Sequence, residues 1–268
     1  MKRVICLIQR HGSYRREAFI AGARKLGYEE ATLAYLPDTE KPFKPDKEDL
    51  LITWNRYGHH QVYKDFEGAK APILIAENGY MGKSWLGDTW YSLSLDQHNG
   101  AGRWPDKGPS RWRSFGYELQ PYRTGGTEVV VLPQRGIGWP GVAMPANWLA
   151  KLHLPCASRV RSHPGNSGMA ERSLEADLSE ARAVVTWGSG AAIKALAMGI
   201  PAVYDMPKWI GKDAATHLTE VVDWDNIPHK PRERMFERLA WAVWRLSEIE
   251  SGEAIQQLLE THDAEHKR

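Results

Sequence analysis

The stretch with most chemical potential is Val184-Val185-Thr186-Trp187-Gly188-Ser189-Gly190-Ala191-Ala192-Ile193, followed by Gly199-Ile200-Pro201. An apolar run delivers the chain to a Gly-Ser-Gly turn, and a helix of small residues starts there. A helix N-terminus carries about +0.5 of a charge and open N–H donors, so it holds phosphate or carboxylate. Gly188 and Gly190 would let a ligand approach the backbone, Ser189 can donate from its hydroxyl, and Ala191 opens the helix. An ordinary strand–helix turn also favours these residues. Arg135 follows an apolar run at Glu128–Leu132, where a guanidinium can pair with a diphosphate or simply mark a hinge. His163, after Arg159–Ser162, can hydrogen-bond a phosphate or cap the next element. Lys208 also follows a strand, facing a ligand or solvent. Two carboxylates suit a general base. Asp96, beside His98 in a Gly/Asn-rich segment, is the first choice, although a turn Asp would look the same. Glu77 is the second, because it ends a buried strand where open α/β sheets place ligands.

These residues need a scaffold, and apolar runs of strand length alternate with helical patterns. Val4–Ile8, Leu50–Trp54 and Pro72–Ala76 read as strands. Tyr14–Leu26, with Ser13 as N-cap, and His60–Phe66 read as helices. The runs are continuously apolar, which fits parallel strands covered on both faces. Residues 81–126 show little periodicity and form an irregular excursion. The rhythm restarts with strands at Glu128–Leu132, Arg159–Ser162, Ala183–Trp187 and Pro201–Tyr204 and helices at Ala146–Leu152, Leu174–Glu180 and Ala191–Met198. Arg232–Ile249 reads as one long amphipathic helix, and the tail after Leu259 as a frayed polar end. The expected fold is α/β with two Rossmann-like halves, residues 1–125 and 126–268, and a C-terminal helix packing back across the first half.

Residues 158–205 resemble the nucleotide-sugar-binding half of GT-B-fold glycosyltransferases. The resemblance rests on the Gly-Ser turn, the small-residue helix, Gly199-Ile200-Pro201 and the upstream Arg161-Ser162-His163-Pro164, a pairing found in capsule-polysaccharide transferases. The whole chain is also similar to a set of phage-encoded proteins that share Asn99-Gly100, the turn and a terminal Glu248-to-Gly252 helix end. These resemblances imply a metal-independent transferase using a nucleotide-sugar donor, a UDP-sugar foremost. Gly188–Ala191, His163 and Arg135 would hold the donor, and Asp96 or Glu77 would take the acceptor's proton. The phage-like resemblance implies DNA with hydroxymethylated bases as acceptor, a saccharide being the alternative. A non-catalytic nucleotide- or nucleic-acid-binding protein of the same fold is the reading from another class.

Composition narrows the field. Twelve Trp stand against five Phe, and indoles near loops either stack on flat ligands or plug gaps between elements. Within residues 103–135 six Lys/Arg face three acids, with Trp104 and Trp112 interleaved among Arg111, Arg113 and their neighbours. That patch, with Asn99, is the expected acceptor surface. A net charge of +2 over 268 residues is only mildly basic. No apolar run spans a bilayer, no signal peptide is evident, and the two cysteines lack metal spacing, so a cytoplasmic protein with buried thiols is expected. Gln9-Arg10-His11-Gly12-Ser13 stands where a dinucleotide fingerprint would, and no Walker lysine motif occurs, which disfavours dehydrogenase and P-loop readings. His59 and His60 are adjacent and point to different sides of a helix, so no metal site is expected.

Overall fold

The computed structural model describes residues 1–8, 14–32, 43–56, 58–163 and 172–266. They form an α/β protein with two mostly parallel sheets, one in each of two units. The first unit comprises Met1–His98, Gly102–Asp106 and Trp241–Arg268, and the second Asn99–Ala101 and Lys107–Ala240. The division therefore falls near residues 99–107 rather than at 125/126, and the C-terminal segment joins the first unit.

In the first unit the strands are β1 (Lys2–Cys6), β2 (Tyr28–Glu30), β3 (Leu50–Trp54), β4 (Ile73–Asn78) and β5 (Trp90–Leu95). β2, β1, β3 and β4 run parallel, and β5 joins β4 antiparallel. Leu50, Leu51, Ile52, Leu74 and Ile75 are buried, as strands covered on both faces must be. The helix Tyr14–Lys25 contributes Phe19 and Ile20 to the core, and His60–Gly68 contributes Tyr63 and Phe66. Its Ser13 cap lies outside the described residues. Cys6 and Cys156 are unpaired, and burial pushes the Cys6 thiol up to about 11, which leaves it unreactive.

Two expectations fail here for physical reasons. The excursion at 81–126 contains β5, whose Ser92 and Ser94 concealed it in the sequence. Both serines are buried and hydrogen-bonded: Ser92 Oγ accepts the Tyr80 N–H at 3.1 Å, and Ser94 Oγ donates to the Gln97 carbonyl. The single helix expected at Arg232–Ile249 is a helix Glu233–Ala240, a strand Val243–Arg245 and a helix Leu246–Glu250. Trp244, fully buried, and the β-branched Val243 extend the sheet beside β5. The Glu248 carboxylate then accepts the Arg245 N–H at 2.7 Å and starts the next helix. Through its described residues the tail is helical rather than frayed: Glu253–His266 is a helix that buries Ala254, Ile255 and Leu258 and, beyond Leu259, His262.

The second unit has five parallel strands, β6 (Glu128–Leu132), β7 (Ser158–Val160), β8 (Ala181–Thr186), β9 (Ala202–Tyr204) and β10 (Thr216–His217), in the order β10-β9-β8-β6-β7. The helices expected at Ala146–Leu152 and Leu174–Glu180 shorten to Trp148–Lys151 and Leu174–Asp177. The helix Gly190–Ala197 lays Ile193 and Leu196 on the sheet. It ends at Gly199, whose φ of +78° and close approach to the backbone both need glycine: a Cβ there would lie 1.9 Å from the Pro121 carbonyl oxygen. Gly199→Ala is expected to lower stability by about 2–5 kcal/mol, combining the ~1–2 kcal/mol left-handed penalty with ~1–3 kcal/mol of overpacking. Denaturant unfolding of the intact chain measures this, and a loss below about 0.5 kcal/mol would contradict it.

The tryptophans are packing residues. Trp85, Trp90, Trp112, Trp148, Trp187, Trp209 and Trp244 are buried, and none of the other five is exposed. Trp112 lies 5.0 Å from Phe236 and 6.0 Å from Phe115, ring to ring. Trp104 packs against the core of the first unit.

Candidate functional site

β6 opens the second sheet, β7 adds to one side of it and β8 to the other. The loops after β6 and β8 therefore part at a topological switch point, where open α/β sheets bind ligands at their carboxyl ends. The Gln134 side-chain N–H ties these loops together, donating to the Gly188 carbonyl at 2.8 Å. Thr186 supports the turn from beneath: its Oγ1 donates to the Leu132 carbonyl at 2.8 Å and accepts the Ser189 N–H at 2.9 Å.

The turn divides its labour differently from the sequence expectation. Ser189 Oγ accepts the Ala191 N–H at 3.2 Å, so Ser189 is the N-cap and occupies one of the first-turn donors itself. Gly188 is small for packing reasons: a Cβ would meet Met206 Sδ at 2.7 Å and Trp209 at 3.2 Å. The Gly190 N–H has no acceptor among the described residues. Ala192 N–H donates to the Ser189 carbonyl at 3.1 Å, so among the first-turn residues Gly190–Ala192 it is Gly190 that has a backbone donor left for a ligand.

Cationic groups stand on the neighbouring strand ends. Arg135 is exposed just beyond β6, with no ion-pair partner among the described residues. His163 follows β7, and the Pro164-Gly165-Asn166 beyond it lies outside the described residues. Burial, then the charges of Arg135 and Arg161, hold the His163 imidazole below its ordinary range, so it is neutral at pH 7. Arg161 is itself committed, with Nε donating to the buried Asp177 carboxylate at 2.6 Å. Arg135→Ala removes one cation that opposes protonation, so His163 should titrate at higher pH than in the parent. NMR titration of the imidazole tests this, and an unmoved or lowered midpoint would contradict it.

At the end of β9, Asp205 accepts the Trp148 indole N–H at 2.7 Å, and its other oxygen lies 3.8 Å from His217 Nε2. Fifty-seven residues separate Trp148 from Asp205, and no local pattern pairs them. Lys208, the residue singled out in this loop, is exposed.

In the first unit the two candidate carboxylates lie at opposite ends of β4. Glu77 is at the carboxyl end, half-buried, and its Oε1 accepts the Tyr80 hydroxyl at 2.5 Å. Tyr80 was not visible as a partner in the sequence, although the turn at Gly79 returns the chain onto Glu77. Asp96 is at the other end, where its N–H donates to the carbonyl of Ile73, the first residue of β4. Four residues separate Ile73 from Glu77, which at ~3.3 Å per residue is about 13 Å of strand. Asp96 also has a structural explanation that the sequence did not supply. Its φ of +68° closes the turn after β5, and Arg103 Nε and Nη2 donate to its Oδ2 at 2.8 and 2.5 Å. His98, its near neighbour, is buried, and its Nδ1 accepts the Arg56 N–H at 3.3 Å. His11 lies outside the described residues.

The expected acceptor surface is largely consumed by packing. Asn99 and Gly100 form a left-handed turn, with Gly100 pressed so close to Ile210 that a Cβ would lie 2.3 Å from it. Arg111 Nε donates to the Ala240 carbonyl at 2.8 Å, and Trp112 and Trp104 are packed as described. Arg113 is exposed. A base-stacking role for these indoles is therefore not what the structure provides. Among the described residues no group of three or more His, Cys, Asp and Glu could hold a metal ion, and no helix is long and apolar enough to cross a membrane.

No protein-family model matches the chain, and no curated protein matches it in sequence. Its fold is similar to that of Thermosulfurimonas dismutans KpsC, described as a beta Kdo 2,7 transferase, at 15% identity over 99% of this chain and 100% of that one, with a TM-score of 0.56. A KpsC structure from the same organism, described as a beta Kdo 2,4 transferase, aligns at 13% identity over 90% and 91% of the two chains, with a TM-score of 0.47. The first likeness, spanning nearly the whole of both chains, shows a two-domain Rossmann-like α/β fold.

Proposed function

We propose that the chain is a glycosyltransferase that moves a sugar from a nucleotide-sugar donor to a saccharide hydroxyl. The observation that carries this reading is the row of groups on three adjacent strand ends of the second sheet. His163 follows β7, Arg135 follows β6, and the open Gly190 N–H follows β8. A guanidinium and a helix N-terminus suit a leaving phosphate, whose charge grows as the bond to the sugar breaks. A neutral His163 can donate one further hydrogen bond to it. In the reaction the acceptor oxygen attacks the anomeric carbon, the nucleotide departs with the bonding electrons, and Glu77 takes the acceptor's proton. The Tyr80 hydrogen bond fixes one Glu77 oxygen and so orients the carboxylate. The fold likeness to a Kdo transferase supports a saccharide acceptor over DNA, and the packed state of Trp104, Trp112 and Arg111 supports the same choice.

The test is nucleotide release from a panel of nucleoside mono- and diphosphate sugars, UDP-sugars included. Saccharide acceptors and hydroxymethylcytosine DNA are offered in parallel. Release that depends on a saccharide supports the proposal. Release that depends on DNA restores the phage-type reading. Nucleotide binding without turnover across the panel favours a binding protein of this fold.

A further inference from the structure

We propose a second ligand site, at the amino end of the same sheet, that takes a carboxylate-bearing sugar unit. A cavity of about 490 Å³ opens there, between the chain entering β6, the start of β8 and the turn before β9. The ~20 Å length of β8 separates it from the Gly188–Gly190 turn. The volume lies in the range of small-molecule sites.

Its chemistry is that of an anion site with one apolar wall. Arg123 Nη1 is fixed by two carbonyls, Leu178 at 2.8 Å and Ser179 at 3.1 Å, so the guanidinium is held without being neutralised. No carboxylate among the described residues pairs with it. Arg182, on the adjoining wall, pairs at 2.6 Å with Asp225, which lines the cavity beside it; the Asp225 side chain is 73% exposed and that of Arg182 18%, so the carboxylate can turn away to solvent while the guanidinium stays in the wall. The Arg182 Nε has no acceptor among the described residues. Two guanidiniums on one cavity suit a planar carboxylate. Pro201 and Ile227, both buried, supply an apolar surface, and His229 stands beside them, stacked on Tyr122 at 4.4 Å. Gly125 leaves the rim bare, since a Cβ there would meet no atom within 4 Å. A sugar ring offers what these walls lack: an apolar face, hydroxyls and, in an acidic sugar, the carboxylate. The saccharide identity of the ligand rests on the proposed function, and the anion site does not. The site would hold an acidic glycan at a point remote from transfer.

The experiment is calorimetric titration of the intact chain at low salt with trigalacturonate, with neutral maltotriose and with inorganic phosphate. The parent should bind trigalacturonate and not maltotriose. Arg182→Gln and Thr124→Glu should each weaken binding by at least about tenfold, the scale of one charge-assisted hydrogen bond. Thr124 is exposed on the rim, so Thr124→Glu adds a repelling charge without touching the core. It should leave turnover on a monosaccharide acceptor unchanged. No binding by the parent, equal binding of maltotriose, phosphate binding as tight as trigalacturonate, or unchanged affinity in both variants would overturn the proposal. Binding that Thr124→Glu abolishes, in a protein that turns over no donor, would keep this site and discard the transferase reading. Turnover without binding would do the reverse.

Discussion

Glu77→Gln is expected to lower turnover by about 10²–10⁴-fold, the usual worth of a general base, with donor affinity little changed. The amide keeps the shape of the side chain and can still accept the Tyr80 hydroxyl, so the loss isolates basicity from position. Asp96→Asn is the matched control. Its carboxylate sits at the far end of β4, held by Arg103 in a pair about one-third exposed on each side. Removing a pair of that exposure costs ~0–1 kcal/mol of stability and should leave turnover near that of the parent. A large loss in Asp96→Asn with normal turnover in Glu77→Gln would invert the assignment. Normal turnover in both would place the base elsewhere, or give the proton to a donor phosphate oxygen.

Gly190→Pro should leave the protein folded and weaken donor binding by about 10–150-fold, the equivalent of losing one hydrogen bond to a charged group, ~1.5–3 kcal/mol. Proline suits the first position of a helix, where its missing N–H has no helical partner. The preceding residue must be extended, and Ser189 already is, with φ −72° and ψ 143°. Gly190 itself has no positive φ that would demand glycine. The substitution thus deletes the one first-turn donor that Ser189 and Thr186 leave unused. Calorimetry with donor or nucleotide measures it. Unchanged affinity in a folded variant would remove the turn from the donor site, and Gly190→Val, which fills the approach but keeps the N–H, separates steric from hydrogen-bond loss.

Much of the scaffold was legible because its signals are local. Leu50–Trp54, Pro72–Ala76 and Ala183–Trp187 are apolar runs of strand length that fit strands covered on both faces, and the structure has strands at Leu50–Trp54, Ile73–Asn78 and Ala181–Thr186. The Gly-Ser-Gly turn was legible for the same reason: capping and tight turning need particular residues at adjacent positions. β5 was not, because Ser92 and Ser94 read as surface residues until partners from Tyr80 and Gln97 appear. The break at Trp241–Ala242 was hidden by an apolar spacing that serves a helix as well as a strand, and pairing with β5 decides between them.

The sequence by itself determined the fold class, the two α/β units, the carboxyl-end positions of Arg135, His163 and Glu77, and the turn that starts the helix Gly190–Ala197. These depend on residue type and near-neighbour spacing. Only the tertiary structure decided which groups remain available. It committed Ser189 Oγ to the cap, closed Gly188 over Met206, spent Trp112 and Trp104 on packing, and set Asp96 against Arg103 at the far end of β4 from Glu77. Each of these rests on a partner's position in space. A hydroxyl, an indole or a carboxylate is identical in sequence whether its partner is a ligand or the protein itself, and only the folded chain places that partner within reach.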